Sequence, residues 1–189
     1  MILLKSSIYL YNVDNLRLNY PLPNSLIEHI EGYKDENIRN ISRSNYSNLA
    51  IKLKEIGLDI NNLRFLASGK PVIDGIYLSL SHSKELYGFI LSDKECGFDI
   101  ESLINEARFN LANRILNEDE LNEFTKNVDK SKYLTTKWCL KEAYSKCLGT
   151  GLNSSIFKIK VEGSSFTIGN SVIAYTLGDA DVYLNDRLL

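Results

Sequence analysis

Lys137-Trp138-Cys139-Leu140-Lys141-Glu142-Ala143-Tyr144-Ser145-Lys146-Cys147-Leu148-Gly149-Thr150-Gly151-Leu152 reads as a helix that stops on glycine and carries an acid and a base one turn apart. Glu142 and Lys146 stand four residues apart, so their side chains share one helix face. On a solvated helix such a pair contributes only about 0.3–0.5 kcal/mol. The helical wheel argues for more than that. Lys137, Lys141 and Ser145 cluster on one arc, which reads as the water face. Glu142 and Lys146 lie away from it, between Trp138 and Cys139. Charges beside apolar neighbours are costly unless something is bound there. The pair therefore reads as functional, able to reach one phosphate or metal.

Upstream, Gly97-Phe98-Asp99-Ile100-Glu101 alternates apolar and acidic residues, the pattern of a strand. Asp99 and Glu101 then point to one face, about 6–7 Å apart. Exposed, the two acids are unremarkable. Enclosed, they repel and call for a cation. Oxygen ligands at this spacing suit Mg²⁺, which takes one or two carboxylates and completes its shell with water and phosphate oxygens. Two further stretches are polar and cationic: Ser79-Leu80-Ser81-His82-Ser83, where a strand runs into a loop, and the turn Ser68-Gly69-Lys70-Pro71. Hydroxyls and imidazole can donate to phosphate oxygens.

Around these motifs, residues 1–11 and 13–18 read as short strands and 35–57 as a helix stopped by Gly57. Residues 76–81 and 86–92 read as paired strands, and 96–101 as another. Helices follow near 105–116 and 118–127, the second with Asn117 and Glu120 in a capping-box arrangement, and then at 131–148. The tail returns to strand, with 157–161 alternating and Val172-Ile173-Ala174-Tyr175 a buried run. Each half reads as helix followed by a small antiparallel sheet. The expected fold is α+β, built of two similar, pseudo-duplicated halves, 1–101 and 102–189, with the active site in the cleft between them.

Composition narrows the function. The 189 residues are 44% apolar and 24% charged with three prolines, as in a globular chain. A net charge of −2 gives no reason to expect nucleic acid or an anionic membrane as partner. The basic run Lys34, Arg39, Arg43, Lys52 and Lys54 is what a solvated helix face carries. Three cysteines without a CxxC pair and two histidines speak against zinc, and the thiols read as buried. The apolar start Met1-Ile2-Leu3-Leu4 is followed by neither a signal peptide nor a membrane span, so a reducing, cytoplasmic setting is expected.

The order of the four motifs is more specific than any one of them. Gly-Lys-Pro, Ser-His-Ser, Gly-Phe-Asp-Ile-Glu and Trp-x-x-Lys-Glu-Ala-x-x-Lys-x-x-Gly-x-Gly-Leu in that sequence resembles the Sfp-type 4′-phosphopantetheinyl transferases, from about residue 39 to 161. The resemblance implies transfer of the phosphopantetheine arm of coenzyme A to a serine of an apo acyl or peptidyl carrier protein, with release of adenosine 3′,5′-bisphosphate. It implies Mg²⁺ held by Asp99, Glu101 and Glu142. Glu142, or a water it holds, would take the serine proton, and Lys146 would assist the departing phosphate. It further implies Ser81 and His82 on phosphate, Gly69, Lys70 and Pro71 beside the adenine, Arg39 and Arg43 at the 3′-phosphate, and Glu120 as a further acid. Phe98 replaces the usual Ile or Val, and the C-terminal end is trimmed. A cleft complete within one chain implies an active monomer. Two other readings use the same residues: another Mg²⁺-dependent phosphoesterase or nucleotidyl transferase, and a non-catalytic module binding coenzyme A or a carrier protein.

Overall fold

Period-two patterning decides which side chains meet which layer. The computed structural model describes residues 4–189. In chain order its elements are β1 (Ser7–Asn12), α1 (Asn24–Glu31), α2 (Glu36–Glu55), β2 (Arg64–Phe65), β3 (Pro71–Val72), β4 (Tyr77–His82), β5 (Leu86–Ser92) and β6 (Phe98–Ser102). There follow α3 (Ala112–Ile115), α4 (Glu118–Lys126), α5 (Lys130–Leu148), α6 (Ser154–Lys158), β7 (Ser164–Ile168), β8 (Ser171–Tyr175), β9 (Asp181–Leu184) and β10 (Arg187–Leu188). A mixed sheet of order β10-β9-β1-β5-β4 and an antiparallel sheet of order β6-β8-β7 carry the fold, with β2-β3 as a small ribbon. The architecture is α+β, with small antiparallel and mixed sheets and interspersed helices.

Alternate residues of β1 and β5 serve opposite faces of the first sheet. Tyr11, Tyr87, Phe89 and Leu91 pack with Leu26, Ile30, Leu49 and Leu53 of α1 and α2. Ile8, Leu10, Leu86 and Ile90 turn the other way and meet Phe98, Ile100, Ile173 and Tyr175 of the second sheet. The far face of that sheet, through Val172 and Ala174, meets Cys139, Leu140 and Ala143 of α5. The layers therefore run α1/α2, first sheet, second sheet, α5. With Phe98 and Ile100 committed to the core between the sheets, Asp99 and Glu101 must face α5.

The chain crosses the expected 101/102 division in its hydrogen bonding. β6 pairs with β8, and β9 returns to lie parallel to β1. Other differences from the sequence reading have local causes. Residues 13–18 form no strand, because Asn15 N bonds back to Asn12 O in a turn and Arg17 N donates to Ser44 Oγ at 2.6 Å. The alternating stretch at 157–161 begins inside α6, since the Asn153 side chain accepts from Ser155 N and Ile156 N and nucleates a helical turn. Helix α1 went unread, opening directly after Pro23. The expected 105–116 helix is a 3₁₀ stretch, Glu106–Leu111, followed by the short α3. Of the expected first strand, residues 1–3 lie outside the described residues. The capping box of Asn117 and Glu120 is formed, and all three cysteines are buried.

Gly97 sets how closely α5 approaches the sheet edge. A Cβ there would lie 1.8 Å from Ala143 O and 2.7 Å from Cys147 N, both backbone atoms of α5. No rotamer relieves such a clash. Gly97→Ala is expected to cost about 1–3 kcal/mol, read as a lower midpoint in urea denaturation. An unchanged midpoint would contradict this packing.

Candidate active site

Asp99 reaches α5 from β6 at the point where β4 also arrives. Its side chain is 4% exposed, and Lys146 Nζ approaches its Oδ1 at 2.6 Å. Ser81 Oγ donates to the same oxygen at 2.7 Å. Lys146 Nζ also donates to Ser81 Oγ at 3.0 Å and to Leu80 O at 3.3 Å. The other carboxylate oxygen, Asp99 Oδ2, is buried without a hydrogen-bond partner. Burial works against the charge on Lys146, but Asp99 outweighs it through charge and hydrogen bond, with Glu142 adding to it, and the ammonium is held above its ordinary value.

Two more carboxylates feel the same field. Burial, and then the negative charge of Asp99, push Glu142 up to about 7, against a smaller opposing effect of Lys146. Glu101 is raised by burial and by Asp99, while Trp138 Nε1 donates to its Oε1 at 2.9 Å. Three acids therefore crowd around one lysine in a poorly solvated place. No group of three or more His, Cys, Asp or Glu is arranged to enclose a metal ion among the described residues. The donor chemistry nevertheless fits a hard divalent cation: oxygen ligands only, one orphaned buried carboxylate oxygen, and protonation favoured where no cation offsets the charge.

Beside this cluster opens a cavity of about 660 Å³ whose wall includes Gly69, Lys70, Pro71, Ser81, His82 and Glu142, together with Lys146. Seven of the residues expected at the site thus share one hollow. Lys70 is steadied by donating to Cys147 O at the end of α5, where Gly149 adopts φ 67° and closes the helix. His82 is held below its ordinary value by burial and by Lys146. It also borders a second hollow of about 930 Å³, on whose wall Glu101 and Trp138 stand. Arg39 and Arg43 line neither hollow. Arg39 donates to Tyr33 O and Lys34 O, and Arg43 Nε donates to Leu18 O at 2.8 Å.

One element of the wheel reading is overturned. Lys141 and Ser145, assigned to the water face, are 0% and 1% exposed. Lys141 Nζ donates to Glu120 Oε2 at 2.7 Å and to Phe157 O at 2.9 Å. Glu120, itself 2% exposed, is thus neutralised inside the protein, with Lys137 at 3.7 Å from its other oxygen. A helix wheel sees charge on α5 but not the acid that α4 supplies from 21 residues away. Trp138 was read only as an apolar neighbour. Its four-residue spacing from Glu142 was the signal that it shares the reactive face.

A direct check is titration of Glu142 by carbon-detected NMR in buffer free of divalent cations. Its folded value lies above the unfolded one, so its contribution to stability is present below pH ~4.3 and is lost as pH rises through about 7. Asp99→Asn removes a charge that raises it, so the midpoint is expected to fall toward the ordinary carboxylate range. A midpoint unmoved by that substitution would show that the two acids are not coupled.

Comparison with known proteins gives the family. Residues 95–178 match the family described as the 4′-phosphopantetheinyl transferase superfamily, a span that holds β6, α5 and β8. The chain is 32% identical over 71 residues to the holo-[acyl-carrier-protein] synthase of Shewanella piezotolerans, a match covering 38% of this chain and 54% of the relative. It is 30% identical to the synthase of the same name from Sodalis glossinidius, over 47% of this chain and 69% of the relative. With that from Vibrio parahaemolyticus the identity is 30%, over 46% of this chain and 75% of the relative. The chain thus spans 54% of the Shewanella relative and rather more of the other two. The chain belongs to the 4′-phosphopantetheinyl transferase superfamily.

Proposed function

We propose that the protein is an Sfp-like 4′-phosphopantetheinyl transferase that moves the phosphopantetheine arm of coenzyme A to a serine of an apo acyl or peptidyl carrier protein, releasing adenosine 3′,5′-bisphosphate. The observation that carries the reading is the meeting of Asp99, Glu142 and Lys146 beside a hollow wide enough for a nucleotide, with Asp99 Oδ2 left unpartnered. Asp99, Glu101 and Glu142 would hold Mg²⁺, which when bound would supply positive charge at the diphosphate of coenzyme A. Glu142, poised near neutral pH, is matched to accept the proton of the incoming serine hydroxyl. Lys146, which stays charged, stabilises the phosphate that departs. Ser81 and His82 face the diphosphate, and Gly69, Lys70 and Pro71 the adenine. Arg39 and Arg43 would reach a 3′-phosphate only by leaving the carbonyls they now bond.

The reading extends to organisation. Each sheet carries one long helix, α2 on the first and α5 on the second, which supports two similar halves about a shared cleft. The reading assigns every site residue to this one chain, so it carries an active monomer as part of the proposal. No described helix is long and apolar enough to cross a membrane, and three buried, unpaired thiols suit a reducing cytoplasmic setting.

The test is intact-protein mass spectrometry of an apo acyl carrier protein incubated with the chain, coenzyme A and Mg²⁺. The expected result is a gain of one phosphopantetheine group, abolished by chelation. No gain on several apo carriers, with coenzyme A still bound, would replace the transferase by a binding module. Glu142→Gln is expected to lower the rate by about 10²–10⁴-fold with the fold retained, and unchanged turnover would remove Glu142 from its role. Lys146→Ala is expected to lower kcat more than it raises KM for coenzyme A. A defect in KM alone would contradict action on the departing group.

A further inference from the structure

Besides Asp99 Oδ2 and Glu120 Oε1, one further buried oxygen has no hydrogen-bond partner among the described residues, and its residue lines the 660 Å³ hollow. Asn45 of α2 is 3% exposed. Its Nδ2 donates to two backbone carbonyls of β4 and β5, Gly88 O at 3.0 Å and Ser81 O at 3.3 Å. Those acceptors fix the amide, since a flip would press Oδ1 against two oxygens. Oδ1 therefore turns from the sheet, and it is buried with no hydrogen-bond partner. Ser42, one turn earlier on the same face, and Tyr46 beside it also line the hollow.

Such an acceptor is destabilising while it stays unpaired, because a buried carbonyl without a donor keeps its desolvation cost. A bound donor removes the penalty. An amide oxygen repels an anion, so what it accepts from is an N–H or O–H donor of the ligand rather than its phosphates. Its place in the hollow narrows the choice. Asn45 is tied to the backbone of Ser81, whose hydroxyl joins Lys146 and Asp99, the end proposed for the diphosphate. The Gly69-Lys70-Pro71 turn at the rim is the end proposed for the adenine. Between a 5′-diphosphate and its base lies the ribose.

We infer that Asn45 is a specificity-determining residue whose Oδ1 accepts a hydrogen bond from the ribose 2′-hydroxyl of the bound nucleotide, selecting ribonucleotide over deoxyribonucleotide. The inference rests on the proposed coenzyme A site and names which part of the ligand α2 reads. The oxygen is shielded in the ligand-free hollow, so contact requires neighbouring side chains to shift as the nucleotide enters. A polar acceptor built for one hydroxyl rejects the analogue that lacks it, because its own oxygen is then left unpaired.

The experiment is calorimetric titration of the full chain, in Mg²⁺, with adenosine 3′,5′-bisphosphate and with its 2′-deoxy counterpart. The unaltered protein is expected to bind the ribonucleotide about tenfold more tightly. Asn45→Ala is expected to bring the ratio of the two affinities close to one. A merely structural role for Asn45 would weaken both ligands and leave their ratio unchanged, which would overturn the inference. Equal affinities in the unaltered protein would overturn it too, while leaving the coenzyme A site standing. If neither nucleotide bound, the proposed function would fail and the inference with it. Should Asn45→Ala not fold, the comparison on the unaltered protein still decides.

Discussion

The contact between Lys146 and Asp99 at 2.6 Å is where three elements are held in register. α5 supplies the ammonium, β6 the carboxylate, and β4 the Ser81 hydroxyl that bonds both. Separating any one of them would leave a charge stranded in a place where Asp99 is 4% exposed. Gly97 permits the closeness, since the backbone of α5 lies where any side chain would project. A buried ion pair is seldom an efficient way to stabilise a fold, and hydrophobic residues of like volume often serve as well or better. Its presence here is better explained by what it orients.

Balance of charge supports that view. One lysine faces Asp99, Glu101 and Glu142, and burial together with the charge of Asp99 raises Glu142 to about 7 and Glu101 above its ordinary value. A few residues away, Lys141 and Lys137 both face the single carboxylate of Glu120, and there positive charge is not short. The same helix thus carries one cluster whose acid is paired with lysine and one that is short of positive charge. Local frustration of this kind marks places where a ligand is expected to finish the arrangement.

Much of this was legible in the chain because the patterns were short-range. The alternation from Phe98 to Glu101 gave both the strand and the common face of its two acids. The Glu142 and Lys146 spacing gave their shared face, and Gly149 the helix stop. What was missed depended on partners distant in sequence or on competition for backbone donors. Lys141 was read as wet because Glu120 lies on another helix. Residues 157–161 alternate as a strand does, yet the Asn153 cap begins a helix just before them. Residues 13–18 lost their strand to Ser44, a hydroxyl on α2. Arg39 and Arg43 were assigned by resemblance, and nothing in their local sequence reveals the carbonyls they bond.

The central claim is that the three carboxylates complete themselves on a divalent cation beside the coenzyme A diphosphate. Anomalous diffraction from crystals grown with Mn²⁺ and coenzyme A tests it most directly. The account predicts a single strong anomalous peak in contact with carboxylate oxygens of Asp99, Glu101 and Glu142 and with phosphate oxygens of the nucleotide. Coenzyme A bound with no peak there, or a peak held by other residues, would contradict it.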